Sequence, residues 1–360
     1  MNVERLRELL EAAVKLELAT IPPYLCALYS IHPGTNLEAT MVVRSVVVEE
    51  MLHMILAGNV LNAVGGRPRV SGREHAPHYP HELPDGVILD LLPFSPAAVE
   101  SFLQVENPKY KAELQAPAAL RRRTTVHSSH MLTVSDRPTT IGAFYAEIAA
   151  GLRQVAAEIG EEALFCADPA RQIGGDYYYA AGGAPIVVTD LDSACRALEE
   201  VVEQGEGEMS SAFDADDDLA HYYRFEQLKY GRCYQPGDGV GIPSGPPVEV
   251  DFATVHPMLP NPSLDELTDP DLYAAAERAN RQWSLLLTQI DQAFDGSPAA
   301  LIPAVHTMFR LRDAMLVLLG NPMPGHGGYN AGPTFDWVDD PVTRTANASA
   351  GIPSTVKVGS

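Results

Sequence analysis

The sequence is short of cysteine and of basic residues, and both shortages exclude classes of protein. Its four cysteines are scattered over 360 residues, with no CxxC or CxxCH spacing. This pattern excludes a zinc ribbon and covalent attachment of a c-type haem, and it gives no disulfide framework. With 25 Lys and Arg against 47 Asp and Glu, the formal charge is −22. A chain this acidic is not expected to bind nucleic acid or an anionic membrane surface, because both require a basic protein surface.

Long apolar runs are absent as well. No window approaches the roughly 18 uncharged apolar residues of a membrane-spanning helix, and the N-terminal segment lacks the apolar stretch of a secretory signal. The expected location is therefore a reducing cytoplasm. The apolar fraction of 46% is that of an ordinary globular protein, so the chain can bury a large core.

Helical periodicity is the dominant pattern that remains. Apolar residues recur at spacings of three and four, and strands do not alternate with helices, which disfavours a doubly wound sheet. The sequence predicts helices over residues 3–18, 37–64, 96–103, 139–159, 192–207, 219–231, 271–294 and 298–319.

Proline and glycine divide these helices. Pro22 and Pro23 are expected to interrupt the first helix, which resumes after them. The segment 176–189, with three tyrosines, two glycines and Ile-Val-Val, is predicted to form a small β-hairpin. The expected fold class is mainly α: a helical bundle with that hairpin, long loops and a C-terminal αα-hairpin. The expected units are a bundle (1–232), a Pro/Gly-rich connection (233–265), a packed helical hairpin (266–320) and an irregular tail (321–360).

Charged residues on apolar helix faces are the most informative feature. Glu17 continues the apolar face of the first helix, and Glu147 lies on that of the third long helix. Glu50 and His53 share the apolar face of the second, whereas Glu49 is expected to face solvent because one helical step turns about 100°. A buried carboxylate costs several kcal/mol unless it is paired or binds a cation. Glu-x-x-His with a lone Glu from another helix is the pattern of di-iron and di-manganese carboxylate bundles.

The fourth helix departs from that pattern because it has no Glu-x-x-His. Glu206 lies nearer its buried face than Glu203, and Glu208 is a further alternative. His221 would supply the missing imidazole if the chain turns back before it, because an unbroken helix would place it about 22 Å from Glu206. Residues 208–218 are therefore predicted to be non-helical.

Two other groups of histidines stand outside the helices. His75, His78 and His81 share a proline-rich loop and are interpreted as solvated, rather than as ligands of zinc or copper. His127 and His130 precede the third long helix and are candidates for contact with a substrate.

Three motifs together resemble one group of ferritin-like proteins. They are the segment 16–25 around Glu17, the Glu-Glu-Met-Leu-His segment that ends at Gly-Gly (49–66), and Glu-Gln-Gly-Glu-Gly (203–207) followed by His-Tyr-Tyr-Arg-Phe (221–225). The group is the iminophenyl-pyruvate dimer synthase type, whose relatives act in violacein, rebeccamycin and staurosporine assembly. The resemblance covers roughly residues 1–230 and implies a ferritin-like bundle with a dinuclear non-haem site, of iron or alternatively manganese.

The resemblance also implies a ligand set and an activity. The implied metal ligands are Glu17, Glu50, His53, Glu147, Glu206 and His221. The implied activity is O₂-dependent oxidation or oxygenation of a small organic substrate, amino-acid-derived compounds included, in specialised-metabolite biosynthesis. The alternatives are a ferroxidase or other iron-handling protein, an imine dimer synthase-like enzyme, and a binding module whose metal is structural. The expected partners are the substrate and O₂, and a homo-oligomer remains an alternative to a monomer.

Overall fold

The computed structural model describes residues 1–83, 86–107, 140–178, 182–205, 212–213 and 218–339. Within them the chain is mainly helical, which confirms the fold class expected from the sequence. The α-helices are α1 (Val3–Ser30), α2 (Leu37–Ala63), α3 (Pro96–Val105), α4 (Ile141–Ile159), α5 (Glu161–Leu164), α6 (Leu191–Gly205), α7 (His221–Tyr230), α8 (Pro270–Phe294) and α9 (Leu301–Leu319). Single 3₁₀ turns lie at Pro169–Arg171, Gly175–Tyr177, Leu264–Glu266 and Pro298–Ala300.

The centre of the fold is an antiparallel pair formed by α1 and α2. The Asn2 side chain caps α1 by accepting a hydrogen bond from the Arg5 N–H. Arg7, one turn into α1, donates to the Val64 carbonyl at the end of α2 through Nε (2.9 Å) and Nη2 (2.8 Å). The start of one helix is thereby tied to the end of the other, so residues in the middle of each helix face one another.

α1 runs through Pro22 and Pro23 without a break, so the predicted interruption is wrong. Each proline leaves the carbonyl four residues earlier without its helical donor. For Pro23 that carbonyl belongs to Ala19, and the Tyr79 hydroxyl donates to it over 2.7 Å. A contact from outside the helix therefore supplies the donor that proline removes.

The small sheet is a hairpin of β1 (His81–Glu82) and β2 (Ile88–Leu89), which pair antiparallel. The hairpin predicted over 176–189 is wrong, because the described residues there form a 3₁₀ turn and extended chain with no strand. Side chains satisfy the backbone of that segment instead. Asn59 of α2 donates to the carbonyls of Ile173 and Ile186, and Gln172 exchanges two hydrogen bonds of 2.6 Å with Val188.

α8 and α9 form the predicted C-terminal αα-hairpin and pack against α2 and α1. Gly58 of α2 permits the close approach of α8, because a Cβ at this position would overlap the ring of Phe294. Trp283, Phe294 and Met315 belong to the same buried core as the residues of α1 and α2. None of the described helices is both long and apolar enough to cross a membrane.

The segment that follows α9 is irregular, as expected, but it packs on α8. Asn280 of α8 and Thr334 donate hydrogen bonds to one another. The ring of Phe335 meets the Trp283 ring edge-on, with centroids 5.2 Å apart. The remainder of the predicted tail, 340–360, lies outside the described residues.

Candidate metal centre

Four of the predicted ligands meet in the interior of the bundle. Glu17 comes from the middle of α1, Glu50 and His53 come from α2, and His221 is the first residue of α7. All four side chains are buried. One donor atom each of Glu50, His53 and His221 lie within 4.8 Å of one another. Three separate helices, α1, α2 and α7, therefore supply carboxylates and imidazoles to one region of the interior.

The half of the cluster around His53 contains Glu17 and Glu50. His53 Nδ1 lies 3.7 Å from Glu17 Oε2 and 3.7 Å from Glu50 Oε1. The Thr20 hydroxyl donates to Glu50 Oε2 over 2.6 Å, and the Tyr145 hydroxyl of α4 donates to Glu17 Oε1. One oxygen of each carboxylate is thus restrained by a hydroxyl donor, and the other oxygen is directed at the imidazole.

The other half of the cluster is centred on His221. Its Nδ1 lies 3.0 Å from Glu50 Oε1 and 3.6 Å from Glu106 Oε2. Among the residues that the structure describes, this buried nitrogen forms no hydrogen bond, because neither contact has suitable geometry. An imidazole nitrogen enclosed by carboxylate oxygens without a hydrogen bond is the arrangement expected where a cation binds.

Glu106 is a member of the cluster that the sequence analysis missed. It follows α3, is buried, and accepts a hydrogen bond from the Tyr24 hydroxyl. The helix predicted from the sequence ends at Leu103, so Glu106 lies outside it and is absent from the predicted ligand set. The signal was present nevertheless: Glu106 extends the apolar face of Val99, Phe102 and Leu103 by one turn, as Glu17 extends that of α1.

Glu49 is buried, so its predicted exposure to solvent is wrong. Its Oε2 lies 2.9 Å from His221 Nε2, and Arg224 Nη1 donates to both of its oxygens over 2.8 Å. Glu49 does point about 100° away from Glu50 around the axis of α2, as helix geometry requires. That direction does not lead to solvent because α7 covers that side of α2, which a helical wheel of α2 alone does not reveal.

The structure does not bring Glu147 to the cluster. Tyr145, two positions earlier on α4, is the residue that contacts Glu17. Glu147 itself is half-buried and does not line the cavity that leads to the cluster. The buried face of α4 consists of Phe144, Tyr145, Ile148, Gly151, Leu152, Val155 and Ala156. Glu147 lies at the edge of that face, and this arrangement does not support it as a ligand.

The break in the fourth helix is confirmed. α6 ends at Gly205, α7 begins at His221, and the intervening residues that the structure describes, 212, 213 and 218–220, are not helical. Glu206 and Glu208 lie outside the described residues. Glu203 is exposed on α6, whereas Gly205 borders the cluster. Glu206 as a ligand stays a prediction.

The remaining histidine candidates are not part of this cluster. His78 is exposed, and His75 and His81 are half-buried in the loop and in β1. The described residues form no metal-binding group around these three side chains. His127 and His130 lie outside the described residues.

A narrow cavity, with room for about one water molecule, leads to the cluster. Its polar wall consists of the carboxylates and imidazole already described, together with Thr20. Its other wall is apolar and comes from α1, α4 and α6, with side chains of Leu16, Ile141 and Val201. A molecule the size of water in this cavity would contact both the apolar wall and the buried carboxylates, whereas a larger one would require side chains to move.

Burial and mutual contacts shift the proton affinities of the cluster. Burial raises the pKa of Glu17 to about 7. Burial lowers the pKa of His53, but the contacts with Glu17 and Glu50 outweigh it and raise the pKa to about 9. Burial also raises the pKa of Glu50, yet His221 and His53 outweigh it and hold the pKa below its usual range. The cluster by itself therefore retains protons that a bound cation would displace.

The donor set fits the binding of divalent metal. His53 Nδ1 lies near Glu17 and Glu50, His221 Nδ1 lies near Glu50 and Glu106, and both nitrogens approach Oε1 of Glu50. Three buried carboxylates and two imidazoles without a cation would carry a large desolvation cost. Carboxylate-rich sites favour iron or manganese over zinc. Dinuclear carboxylate bundles use the same two ligand types, with four carboxylates and two imidazoles.

The fold agrees with comparisons to known proteins. A protein named dichlorochromopyrrolate synthase, from Lentzea aerocolonigenes, is 24% identical over 328 residues, which cover 81% of this chain and 29% of that protein. The chain thus spans less than a third of this relative's length. The crystal structure of a ferritin-like protein from Caulobacter vibrioides, 20% identical, matches with a TM-score of 0.58 over 94% of this chain and 99% of that one. A family model described as ferritin-like matches residues 10–230, more than half of the chain. The resemblance inferred from the motifs is therefore confirmed, and the chain belongs to the ferritin-like family.

Proposed function

We propose that this protein is a non-haem dinuclear metal enzyme, most simply di-iron, that uses O₂ to oxidise or oxygenate a small organic substrate in specialised-metabolite biosynthesis. The observation that carries the proposal is the pair of half-sites that share Glu50. One half consists of Glu17, Glu50 and His53, and the other of Glu50, Glu106 and His221. Manganese is the alternative metal, because it favours the same donors.

The bound ions would supply the redox chemistry with O₂, and the protein's own residues hold the ligands and exclude water. Burial, followed by the charge of the neighbouring carboxylate, keeps the pKa values of Tyr24 and Tyr145 well above the usual phenol value. Both therefore stay neutral and donate hydrogen bonds, to Glu106 and Glu17 respectively. The apolar wall of the cavity shields the ligands from bulk water.

An oxidative coupling reaction is a second candidate, and the curated relative supports it. That protein is named as a synthase of dichlorochromopyrrolate. We propose that a coupling reaction of the imine dimer synthase kind would use the same cavity and the same ligands. Because the chain spans less than a third of the relative's length, the identity of the product must come from experiment.

Metal loading and O₂ consumption test the proposal. The purified chain is loaded anaerobically with Fe²⁺, desalted and analysed, and it is expected to retain about two ions per chain. On exposure to O₂ it should develop an ultraviolet–visible absorption change and consume O₂ with a stoichiometry set by the bound iron. Retention of less than about half an ion would contradict the dinuclear site. Continued turnover of added Fe²⁺ into a mineral would instead indicate an iron-handling protein.

A further inference from the structure

The two imidazoles of the cluster face the carboxylates with the same nitrogen but differ in what holds the other nitrogen. His53 and His221 both direct Nδ1 at Glu50, and their rings are stacked with centroids 5.3 Å apart. The Nε2 of His53 lies 2.9 Å from the amide oxygen of Gln204. The Nε2 of His221 lies 2.9 Å from a carboxylate oxygen of Glu49. One ring is therefore held by a neutral group and the other by a charged one.

The contacts of Gln204 determine which nitrogen of His53 carries the proton. Its Nε2 donates to the Gly182 carbonyl over 3.0 Å and to Glu200 Oε1 over 2.6 Å. These two hydrogen bonds fix the orientation of the amide, so that its oxygen faces His53. An amide oxygen can only accept a hydrogen bond. When His53 is neutral, as a metal ligand must be, it therefore carries its proton on Nε2, and its Nδ1 lone pair is on the side of Glu17 and Glu50.

Glu49 determines the proton position of His221 in the same way, but with a stronger acceptor. Its carboxylate has no proton to offer while it is ionised, and Arg224 donates to both of its oxygens. Arg224 is itself fixed, because its Nε donates to the Leu219 carbonyl over 2.6 Å and its Nη1 to Ser45 Oγ over 3.1 Å. His221 therefore donates from Nε2 to Glu49, and its buried Nδ1 faces Glu50 and Glu106.

An imidazole whose second nitrogen donates to a carboxylate is a better metal ligand than an imidazole whose second nitrogen donates to an amide. The hydrogen bond to an ionised acceptor raises the electron density and basicity of the ring, and loss of such a partner typically lowers metal affinity by about 10–100-fold. The charge of Arg224 offsets that of Glu49 at long range, so the effect acts through the hydrogen bond to His221. Within the described ranges no comparable charge acts directly on His53 Nε2, whose partner there is the Gln204 amide.

We propose that Glu49 and Gln204 are positioning residues that direct Nδ1 of His221 and of His53 at two inequivalent metal positions, and that the position beside His221 binds its ion more tightly. The inference rests on the proposed function in one respect, because it takes the site to hold two ions. It goes beyond that function by assigning an order in which the two positions bind their ions. It also assigns to each position the residue that orients its imidazole: Glu49 for His221 and Gln204 for His53.

Binding of Mn²⁺ to the purified chain, followed by the electron paramagnetic resonance of the free ion, tests the order. The unmodified protein should show two separate steps. Glu49→Gln should weaken the tighter step by about 10–100-fold and leave the weaker step within about threefold. Gln204→Leu, which removes the acceptor of His53 at similar side-chain size, should weaken the weaker step by about 10–100-fold and leave the tighter step within about threefold. Glu199→Gln, an exposed change on α6, is the matched control and should leave both steps unchanged.

Mössbauer spectra of the ⁵⁷Fe²⁺-loaded protein distinguish a positioning role of Glu49 from a purely structural one, because only the positioning role predicts a change at one of the two iron positions. Two ferrous quadrupole doublets are expected for the unmodified protein, and Glu49→Gln should alter one of them. Helical content by circular dichroism identifies a variant that fails to fold. In that case Gln204→Leu decides the inference alone, by whether it weakens only the weaker step.

The outcomes separate this inference from the proposed function. Equal weakening of both steps by Glu49→Gln, or no effect of Gln204→Leu on the weaker step, would overturn the inference while the dinuclear site stands. Two ordered binding steps without any consumption of O₂ would uphold the inference and overturn the proposed oxidase. Retention of less than about half an ion by the unmodified chain would overturn both.

Discussion

The buried ionisable groups of the cluster are held in place by neighbours that are not themselves candidate ligands. Thr20 restrains Glu50, Tyr145 restrains Glu17, and Tyr24 restrains Glu106. Such hydroxyl donors fix the orientation of a carboxylate before any ion arrives, which lowers the reorganisation needed for binding. Single substitutions in the cluster should therefore weaken metal binding more than they destabilise the fold.

His53→Ala is expected to remove metal without unfolding the helices. Bound iron after anaerobic loading should fall from about two ions to about one or less per chain, because one half of the site loses its imidazole. Helical content should persist, since the core of α1 and α2 consists mainly of apolar side chains. Metal analysis with circular dichroism measures both quantities. His78→Ala, at an exposed position, is the control, and equal metal loss in the two variants would contradict the assignment.

Metal affinity is expected to rise with pH between about 6 and 9. The raised pKa values of Glu17, about 7, and of His53, about 9, mean that both groups hold protons when the ion is absent at lower pH. Each proton that the ion displaces makes the apparent affinity about tenfold stronger per pH unit. Titration with Mn²⁺ at pH 6, 7 and 8 measures the slope, and proton release in weak buffer measures the same exchange directly. An affinity independent of pH would contradict this prediction.

The continuity of α1 depends on a contact from the loop that precedes the small hairpin. Tyr79→Phe removes the donor to the Ala19 carbonyl that Pro23 leaves unpaired. We expect the free energy of unfolding to fall by about 1–2 kcal/mol, the cost of an unsatisfied buried carbonyl. Urea denaturation measures this change, with Tyr273→Phe on the exposed face of α8 as the control. Equal stabilities of the two variants would show that α1 does not need this donor.

The contributions of sequence and of tertiary contact can be separated in these helices. Periodicity within one helix correctly placed Glu17, Glu50 and His53 on buried faces, because the neighbouring core residues lie in the same register. It failed for Glu49, because burial there depends on α7, which is distant in sequence. Glycines and loop-like residues after α6 correctly predicted its break. The persistence of α1 through Pro23 was not predictable, because the donor that compensates belongs to Tyr79.

The bundle and the C-terminal hairpin share one core, so they are expected to unfold together. Phe294 of α8 lies against Gly58 of α2, and Asn62 donates to the Phe294 carbonyl over 3.1 Å. Both tryptophans, Trp283 and Trp337, lie in the C-terminal part of the chain, whereas circular dichroism reports all the helices. The two signals should therefore give the same midpoint in urea. Separate midpoints would show that the hairpin is an independent unit.

Metal binding extends this test from the cluster to the rest of the molecule. The ligands lie on α1 and α2, after α3, and at the start of α7, whereas neither tryptophan contacts the cluster. An ion present at about 100 times its dissociation constant stabilises the folded state by about 2.7 kcal/mol. If unfolding is cooperative, Mn²⁺ should shift the tryptophan fluorescence transition by the same amount as the circular dichroism transition. A shift confined to circular dichroism would mean that the hairpin unfolds without disturbing the metal ligands. In His53→Ala both shifts should shrink together, because the same site produces them.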